Sequence, residues 1–428
     1  MAPPHTDLPI RVLACDELGY VRAFATDPAA GGDAAEDLTL IGKFGALDRA
    51  RRAVRARAVC ELRGASDASG PRVVCARKGG AVEVMEARSG TRSTATLTLS
   101  KEIVDAHAWC EGDERGTSWE RMHVVAVHDD GEVGVHGIVN EYGDETWRET
   151  GTFRACGDAT SSDLDARLGR LVLGGKGQGN DVVVYDVHEQ KRTYKAKPPP
   201  PNWLGYRAPP WVSATCFAST SECARFFVGT GEHRFRHYDT RADKRAVLDL
   251  DVGKGVITSV ASSADGYEAY VANARGMFEI VDLRAGKTRG KFKGNSGSIR
   301  QVAVHPDGAH VACAGLDQYV RVYDTATRKC VASAYAKQPL TAIVFDAHTP
   351  AFEAASVKKS SKKKKRAPDV DDDDARAEKK AKKKKKKIRE RAVAVDDALA
   401  NLLLLLLLGF LFRASVVVVD VGRSFLLF

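Results

Sequence analysis

The chain has 428 residues, of which 44% are hydrophobic and 28% charged, and its formal net charge is +9. That is enough apolar material for one large core or two ordinary ones. The positive charge is concentrated at 356–391, where 18 lysines and arginines face 7 acidic residues. The rest of the chain is close to neutral, so the composition does not by itself predict a folded body that binds nucleic acid.

The cysteines and the N-terminus indicate the compartment. Nine cysteines are present, an odd number, and no two have the spacing of a CxxC motif. This usage is typical of reduced, mostly buried thiols in an intracellular protein. Residues 1–9 contain no apolar stretch, so we expect no secretory signal.

A short unit recurs seven times: a turn, then four to six residues of strand alternation, then an acidic or turn residue. The clearest copies are 180–186, 233–239, 276–282 and 318–324, and weaker copies are 19–24, 80–86 and 131–136. The spacing falls from 61 residues between the first two copies to 42 between the last two. A four-stranded propeller blade takes about 40–45 residues. The pattern predicts an all-β, seven-bladed WD40-type β-propeller, with an open β-sandwich or two domains as the alternative.

A ring of blades must be closed by a strand from one end of the chain. Residues 340–345 resemble the innermost strand of a blade, yet no further blade follows them, and residues 10–15 resemble a second strand. We expect 340–345 to complete the first blade and so to remove an exposed sheet edge. The predicted propeller domain is 1–350.

Beyond the propeller, we predict a disordered lysine-rich tail at 351–400, because dense charge runs repel themselves. Its two basic clusters predict an import signal that also neutralises RNA phosphates, with a purely solvating tail as the alternative. The cluster residues are Lys362, Lys363, Lys364, Lys365 and Arg366, then Lys382, Lys383, Lys384, Lys385, Lys386 and Lys387.

Residues 401–428 form an apolar C-terminal segment. Its run of eleven residues ending at Phe412 is too short to cross a bilayer, and extending the run would bury Arg413. A reading frame that continues past the true end of the protein, near Arg391, would explain this segment. A membrane tail anchor is the alternative.

Residues 171–345 resemble a known family. The stretch 173–187, the Asn202-Trp203 pair, 229–239, 293–300 and 314–321 follow the order found in WD repeat-containing protein 74 and its fungal counterparts. Pro198–Pro201 depart from the family pattern, which has polar residues there.

The resemblance implies a non-catalytic nucleolar or nuclear scaffold that assembles on large-subunit (60S) ribosomal precursors and supports rRNA processing. The implied partners are other assembly factors, ribosomal RNA, with direct contact left open, and an AAA-type ATPase that releases the protein. The lysine-rich tail implies one further partner, an import receptor. The resemblance implies no cofactor and no small-molecule substrate.

The segments that carry the resemblance supply the candidate contact residues. Pro-rich chain cannot join a sheet ladder, so 194–212 is expected to lie over the propeller as an extended loop. Its two tryptophans either anchor partners or pack back onto the blade. The predicted partner-binding residues are Lys195, Lys197, Asn202, Trp203, Trp211, Arg236, Arg300 and Arg321.

Catalytic and metal sites are not predicted. The glycines at 174–179 lack phosphate-loop spacing and precede a strand, which favours a plain turn. His233 and His237, four residues apart on a strand, lie about 13 Å apart, too far to share a metal. We expect His305, before a turn, to lack an acidic partner.

Two alternatives place the chain in another class. The first alternative is a substrate receptor of a cullin ubiquitin ligase. It rests on Tyr238–Arg241 and Val281–Arg284, which resemble the short signal of propellers that dock on cullin adaptors. The same arginines would otherwise cap turns. A membrane-anchored propeller scaffold is the other.

Overall fold

The computed structural model describes residues 10–26, 36–45, 53–58, 72–87, 90, 96–110, 122–141, 144–201, 203–205, 207–219 and 224–346. These ranges contain 29 strands and no helix, arranged in seven sheets. The predicted seven-bladed propeller is confirmed. Within the described ranges, no helix is long and apolar enough to cross a membrane.

Blades 1 to 3 come from the N-terminal half of the chain. Blade 1 consists of β29 (Leu340–Phe345), β1 (Arg11–Asp16), β2 (Val21–Ala25) and β4 (Thr39–Phe44), from the axis outwards. Blade 2 consists of β5 (Ala53–Ala58), β6 (Arg72–Arg77), β7 (Ala81–Glu86) and β8 (Leu97–Thr98). Blade 3 consists of β9 (Ile103–Cys110), β10 (Met122–His128), β11 (Glu132–Glu141) and β12 (Asp144–Arg154).

Blades 4 to 7 follow without interruption. Blade 4 is β13 (Asp158–Asp165), β14 (Arg170–Lys176), β15 (Val183–Asp186) and β16 (Lys191–Lys195), and blade 5 is β17 (Val212–Phe217), β18 (Arg225–Thr230), β19 (Arg234–Asp239) and β20 (Leu248–Asp251). Blade 6 is β21 (Ile257–Ser262), β22 (Glu268–Asn273), β23 (Phe278–Asp282) and β24 (Lys287–Phe292). Blade 7 is β25 (Ile299–Val304), β26 (His310–Gly315), β27 (Tyr319–Asp324) and β28 (Cys330–Tyr335), with β3 (Glu36–Asp37) added at its outer edge.

The recurring acidic residue ends the third strand of four blades and closes the next turn. Asp186 Oδ1 accepts the backbone N–H groups of His188 and Glu189, and Asp282 Oδ1 accepts those of Arg284 and Ala285. Asp239 and Asp324 do the same for their turns. An aspartate at this position is therefore turn chemistry, because its carboxylate ties down backbone donors.

The hydrophobic core lies between blades as well as within them. One cluster combines Val172 and Tyr194 of blade 4 with Val212, Phe226 and Tyr238 of blade 5. The side chains of adjacent sheets interdigitate, so no blade buries its apolar surface alone.

Neighbouring inner strands of blades 4 to 7 are also joined by hydroxyl groups. Thr160 donates to the carbonyl oxygen of Val212, Ser213 to that of Ile257 at 2.6 Å, and Thr258 to that of Ile299 at 2.5 Å. Each bond runs from one blade to the next, so the strands that carry these residues begin side by side.

Blades 1 and 2 are joined by buried charges. Arg77, 1% exposed, pairs with Glu83 at 2.8 Å in its own blade and donates to the carbonyl of Gly19 in blade 1 at 2.9 Å. Arg11 donates to the carbonyl of Ala87 at 2.6 Å across the same junction. These charged contacts differ in kind from the neutral hydroxyl contacts seen further along the chain.

The ring closes within blade 1, beside blade 7. The strand β29 pairs antiparallel with β1, with Leu13 opposite Val344, and Arg11 forms an ion pair with Asp346 at 3.3 Å. The short β3, from the outer part of blade 1, runs parallel to β28 and pairs with Ala332 and Ser333. Both ends of the described chain therefore meet at this junction.

Each blade begins its first and third strands, and ends its second and fourth, at the same edge of the sheet. We call the side of the ring formed by these edges the upper face. The opposite side, which carries the turns that follow Asp186, Asp239, Asp282 and Asp324, is the lower face.

Candidate functional site

The upper face of blades 4 to 7 gathers the described residues predicted to bind partners. Arg236, Arg300 and Arg321 lie near the beginning of strands β19, β25 and β27, and Lys195 ends β16. Lys197, Trp203 and Trp211 belong to the loop 196–211, which joins β16 to β17. Asn202 and the lysine-rich clusters of the tail lie outside the described residues.

The loop 196–211 is tied down at its two ends. The N–H of Lys197 donates to the carbonyl of Lys244 at 2.7 Å, and the N–H of Gly177 donates to that of Pro210 at 2.9 Å. Prolines 198–201 and 209–210 cannot donate backbone hydrogen bonds, which keeps this segment out of the sheets. The result is an extended loop from the outer edge of blade 4 to the inner strand of blade 5.

The two tryptophans of this loop behave differently. Trp211 is 36% exposed and its backbone forms an isolated antiparallel β-bridge with Lys176. The Lys176 ammonium lies over the indole ring, 4.6 Å from its centroid. Trp203 is 90% exposed, and Leu204 beside it is 68% exposed. Trp211 therefore packs onto the blade and pins the loop, whereas Trp203 is presented to solvent and its role as a partner anchor stays a prediction.

A small cavity lies under the loop. Asp181, Pro199, Trp211, Glu232 and Arg236 are among its lining residues. Burial raises the pKa of Asp181, although the positive charges of Lys195, Arg207 and Arg236 act in the opposite direction. The loop therefore brings basic side chains together around a half-buried carboxylate.

Three predicted arginines differ in availability. Arg236 pairs with Asp249 at 3.3 Å, its direct cross-strand neighbour, and Arg321 is bound by Asp317 and lies over the ring of Tyr319. Arg300 is exposed and has no ion pair with any described residue. The three side chains share a face, but Arg300 is the one left for an external anion.

Sequence reasoning missed a cluster on the lower face. His305 Nδ1 lies 2.8 Å from Asp307 Oδ1, and His310 Nδ1 lies 3.2 Å from Asp307 Oδ2. The expectation that His305 lacks a nearby acidic partner is wrong, because Asp307 lies two residues away across the Pro-Gly turn. The three ligand-type atoms lie within 4.8 Å of one another, so their chemistry suits a metal. Hydrogen bonds from Asp307 N–H to His305 and from Ala309 N–H to Asp307 account for the cluster as turn closure.

A buried Ser-His-Asp group joins blades 3 and 4. His107 Nε2 lies 2.8 Å from Ser162 Oγ and 3.6 Å from Asp105 Oδ2. A catalytic triad needs its carboxylate on the other ring nitrogen, and all three residues here are at most 2% exposed. The group is structural, since no substrate can reach the hydroxyl.

The glycine-rich stretch is a turn, as the sequence predicts. Gly174 and Gly175 lie within β14, and a Cβ on Gly175 would lie 2.3 Å from the carbonyl oxygen of Asp158. Gly177 and Gly179 adopt positive φ values of 96° and 85°. Close packing and turn geometry explain these glycines without a phosphate.

The arginines of the cullin-adaptor signal are occupied within the propeller. Arg284 stacks over the ring of Tyr267, 3.8 Å from its centroid, and Arg241 lies 3.6 Å from Asp239 of its own turn. Both lie on the lower face, where their turns close. These contacts favour the turn-capping alternative.

The fold and its repeat chemistry define a seven-bladed propeller of the WD40 class. The family model for the WD domain, G-beta repeat, matches residues 286–324. This match covers the outer strand of blade 6 and the first three strands of blade 7, so the sequence repeat is offset from the structural blade.

The resemblance inferred from residues 171–345 is confirmed by individual proteins. WD repeat-containing protein 74 from Bos taurus is 31% identical over 149 residues, which are 34% of this chain and 38% of that protein. The Homo sapiens protein of the same name is 30% identical over the same length and shares. Ribosome biogenesis protein NSA1 from Yarrowia lipolytica is 24% identical over 303 residues, 64% of this chain and 72% of that protein. The match therefore spans little more than a third of the mammalian relatives.

Proposed function

We propose that this protein is a non-catalytic scaffold that assembles on precursors of the large ribosomal subunit and supports rRNA processing in the nucleolus. The similarity to NSA1, named a ribosome biogenesis protein, over 64% of this chain carries the proposal. A WD40 propeller supports it, because rigid rings of this kind present broad faces for binding rather than a reaction centre.

The docking surface in this proposal is the upper face of blades 4 to 7. Exposed aromatic residues on anchored loops are frequent hot spots of protein interfaces, and Trp203 is such a residue. Lys195, Lys197 and Arg300 are exposed cations on the same side. Arg236, Arg321 and Trp211 hold this surface in shape, and Asn202 beside Trp203 completes the predicted set.

The remaining partners in this proposal are those that the resemblance and the lysine-rich tail imply. An AAA-type ATPase releases the protein from precursor particles, other assembly factors bind beside it, and an import receptor recognises the clusters 362–366 and 382–387. The cullin-receptor alternative is disfavoured, since Arg241 and Arg284 make contacts within the propeller.

Sedimentation tests the proposal. Tagged full-length protein from nuclear extract is run on a sucrose gradient, and the fractions are probed for large-subunit precursor RNA. We expect co-migration that RNase abolishes. Migration as a small free complex, or together with a cullin adaptor, would overturn the proposal.

A matched pair of variants assigns the surface. Trp203→Ala removes an exposed ring without touching the core, so we expect the protein to leave the precursor fractions while its melting temperature stays unchanged. Leu168→Ala, a 42% exposed residue in a lower-face turn, is the control. Equal retention of both variants would exclude Trp203 as an anchor.

A further inference from the structure

Exposed positive charge accumulates on the upper face of blades 4 to 7. Nine exposed cations on this face form no ion pair with any described residue. One of them, Lys176, covers Trp211. They are Lys176, Lys195, Lys197, Arg207, Lys254, Arg275, Lys293, Arg300 and Lys337.

Acidic side chains on the same face are mostly engaged. Asp249 pairs with Arg234 and Arg236, Glu279 with Lys291, and Asp317 with Arg321. On this face Asp251 contacts His233, and Asp158, Asp181 and Glu232 form no ion pair with a described residue. Free cations therefore outnumber free anions, although the chain outside its tail is close to neutral.

The basic residues form a track across blade junctions. A Cβ added to Gly255, the neighbour of Lys254, would lie 3.2 Å from the side chain of Arg275. Blades 5 and 6 therefore meet at this point. Further round the ring, Arg321 of blade 7 donates a hydrogen bond of 3.3 Å to Asn295. Asn295 lies two residues after Lys293, so blades 6 and 7 meet there. Arg300 follows on the inner strand of blade 7, beside the central axis.

Blades 1 and 2 supply a contrast on the same face. Lys101 is held by Asp130 and Glu132 at 2.7 and 2.6 Å, and Lys78 lies 3.6 Å from Glu102. Of the exposed cations described there, Lys43 has no ion pair, and it lies over the ring of Tyr20. Among the described residues, the exposed cations without an ion pair are therefore concentrated on blades 4 to 7.

We propose that the upper face of blades 4 to 7 binds single-stranded RNA through its backbone phosphates, with a base stacked on Trp203. The inference deepens the proposed function and rests on it for the source of the RNA. Lysines and arginines spread along a surface neutralise successive phosphates. An exposed indole stacks on an unpaired base, which is available in single strands and loops.

Two other occupants fit less well. The lysine-rich segment 356–391 has a net positive charge, so it does not complement the charge of this face. An acidic peptide would match the charge but has no nucleobase to stack on Trp203. The 90% exposure of this ring, in the same loop as the cations Lys197 and Arg207, favours RNA.

Fluorescence anisotropy with a labelled 12-nucleotide single-stranded RNA tests the inference on the full chain. The face variant carries Lys254→Gln, Arg275→Gln, Lys293→Gln and Arg300→Gln. The control variant carries Lys191→Gln, Arg192→Gln, Lys287→Gln and Lys329→Gln, exposed residues on the lower side of the ring. Both variants lose four charges and keep the tail, so their difference isolates the face.

We expect the face variant to bind at least tenfold more weakly than the control at 100 mM salt. Its slope of log affinity against log salt should fall by about 3, since each phosphate contact on a single strand contributes about 0.7. Trp203→Ala should weaken binding by about tenfold, because stacking on one base is worth about 1–3 kcal/mol. Equal binding by face and control variants would overturn the inference.

The competing class of partner has its own outcome. If the face variant loses poly-glutamate binding and Trp203→Ala leaves RNA binding unchanged, the surface is one for acidic proteins and the RNA inference is wrong. Sedimentation separates this failure from failure of the scaffold proposal. Co-migration of the face variant with precursor particles would leave the scaffold standing without an RNA contact here.

Discussion

Blades 4 to 7 are linked by neutral hydroxyl groups, whereas blades 1 and 2 are linked by buried guanidinium groups. Thr160, Ser213 and Thr258 each donate one hydrogen bond to the next blade. Arg77 links blade 2 to blade 1 with a full charge that is 1% exposed.

This difference changes what a mutation costs. A neutral hydrogen bond contributes about 0.5–1.5 kcal/mol, and its loss leaves one carbonyl unpaired. A buried ion pair contributes little in itself, but removing one partner strands a charge away from water. The two arcs of the ring should therefore respond very differently to single substitutions.

The largest effect is expected where the two arcs meet. A chain that ends at Pro339 lacks β29, and with it the buried side chains Leu340, Ile343 and Phe345. Their burial is worth about 5–9 kcal/mol, at about 1.5–3 kcal/mol each, which is comparable with the whole stability of a domain. We expect no cooperative thermal transition by circular dichroism. A chain that ends at Asp346 is the control and should unfold cooperatively, and identical melting of the two chains would contradict the role of β29.

The next largest effect on stability is expected at the charged junction of blades 1 and 2. Arg77→Met leaves Glu83, 3% exposed, without its cation, and should lower the free energy of unfolding by about 3–5 kcal/mol. The double variant Arg77→Met, Glu83→Leu removes both charges and should recover most of the loss. Urea unfolding measures both variants. A double variant as unstable as the single one would show that the charge imbalance is not the cause.

A smaller effect is expected at a hydroxyl junction. Thr258→Val keeps the shape of the side chain but removes its hydrogen bonds to Ile299 and Ala272, and should cost about 1 kcal/mol in urea unfolding. Thr193→Val, whose hydroxyl bonds to Val184 within one blade, is the matched control and should cost less. If Thr258→Val costs as much as Arg77→Met, the contrast between the arcs fails.

The smallest effect is a pH dependence that comes from one histidine in blade 3 and one in blade 5. Burial lowers the pKa of His136 in blade 3 and of His237 in blade 5 below the ordinary value of about 6.5. The unfolded chain therefore binds more protons, and stability is lost as pH falls below about 6.5 towards the folded-state pKa values. His136→Gln and His237→Gln should each flatten the decline in unfolding free energy between pH 7 and pH 5.5. Unchanged slopes in both variants would assign this pH dependence to other groups.

Much of the fold could be predicted because its signals are local. The aspartates that end third strands mark turns, and the strand at 340–345 without a blade of its own indicates the closure. The pairing of β3 with β28 could not be predicted, since two residues carry no periodicity and their partner lies on another blade.

The candidate site was predicted less completely, because availability depends on neighbours across strands. Arg236 and Arg321 resemble free cations in sequence, yet Asp249 and Asp317 hold them. Lys254 and Arg275 form no ion pair with a described residue, and no sequence motif marks them as candidates. Asp307 beside His305 was readable from the sequence, but its significance depends on how the turn folds the two side chains together.

Closure by β29 has a consequence for biosynthesis. Thr341 contacts Cys15, 326 residues earlier in the chain, so the first blade waits for almost the whole propeller to be translated before its inner strand arrives. During that time the nascent chain presents the unpaired edge of β1, a template for mispairing with other strands. Protection of this edge during translation, by a chaperone or by slow elongation, should therefore determine the yield of folded protein.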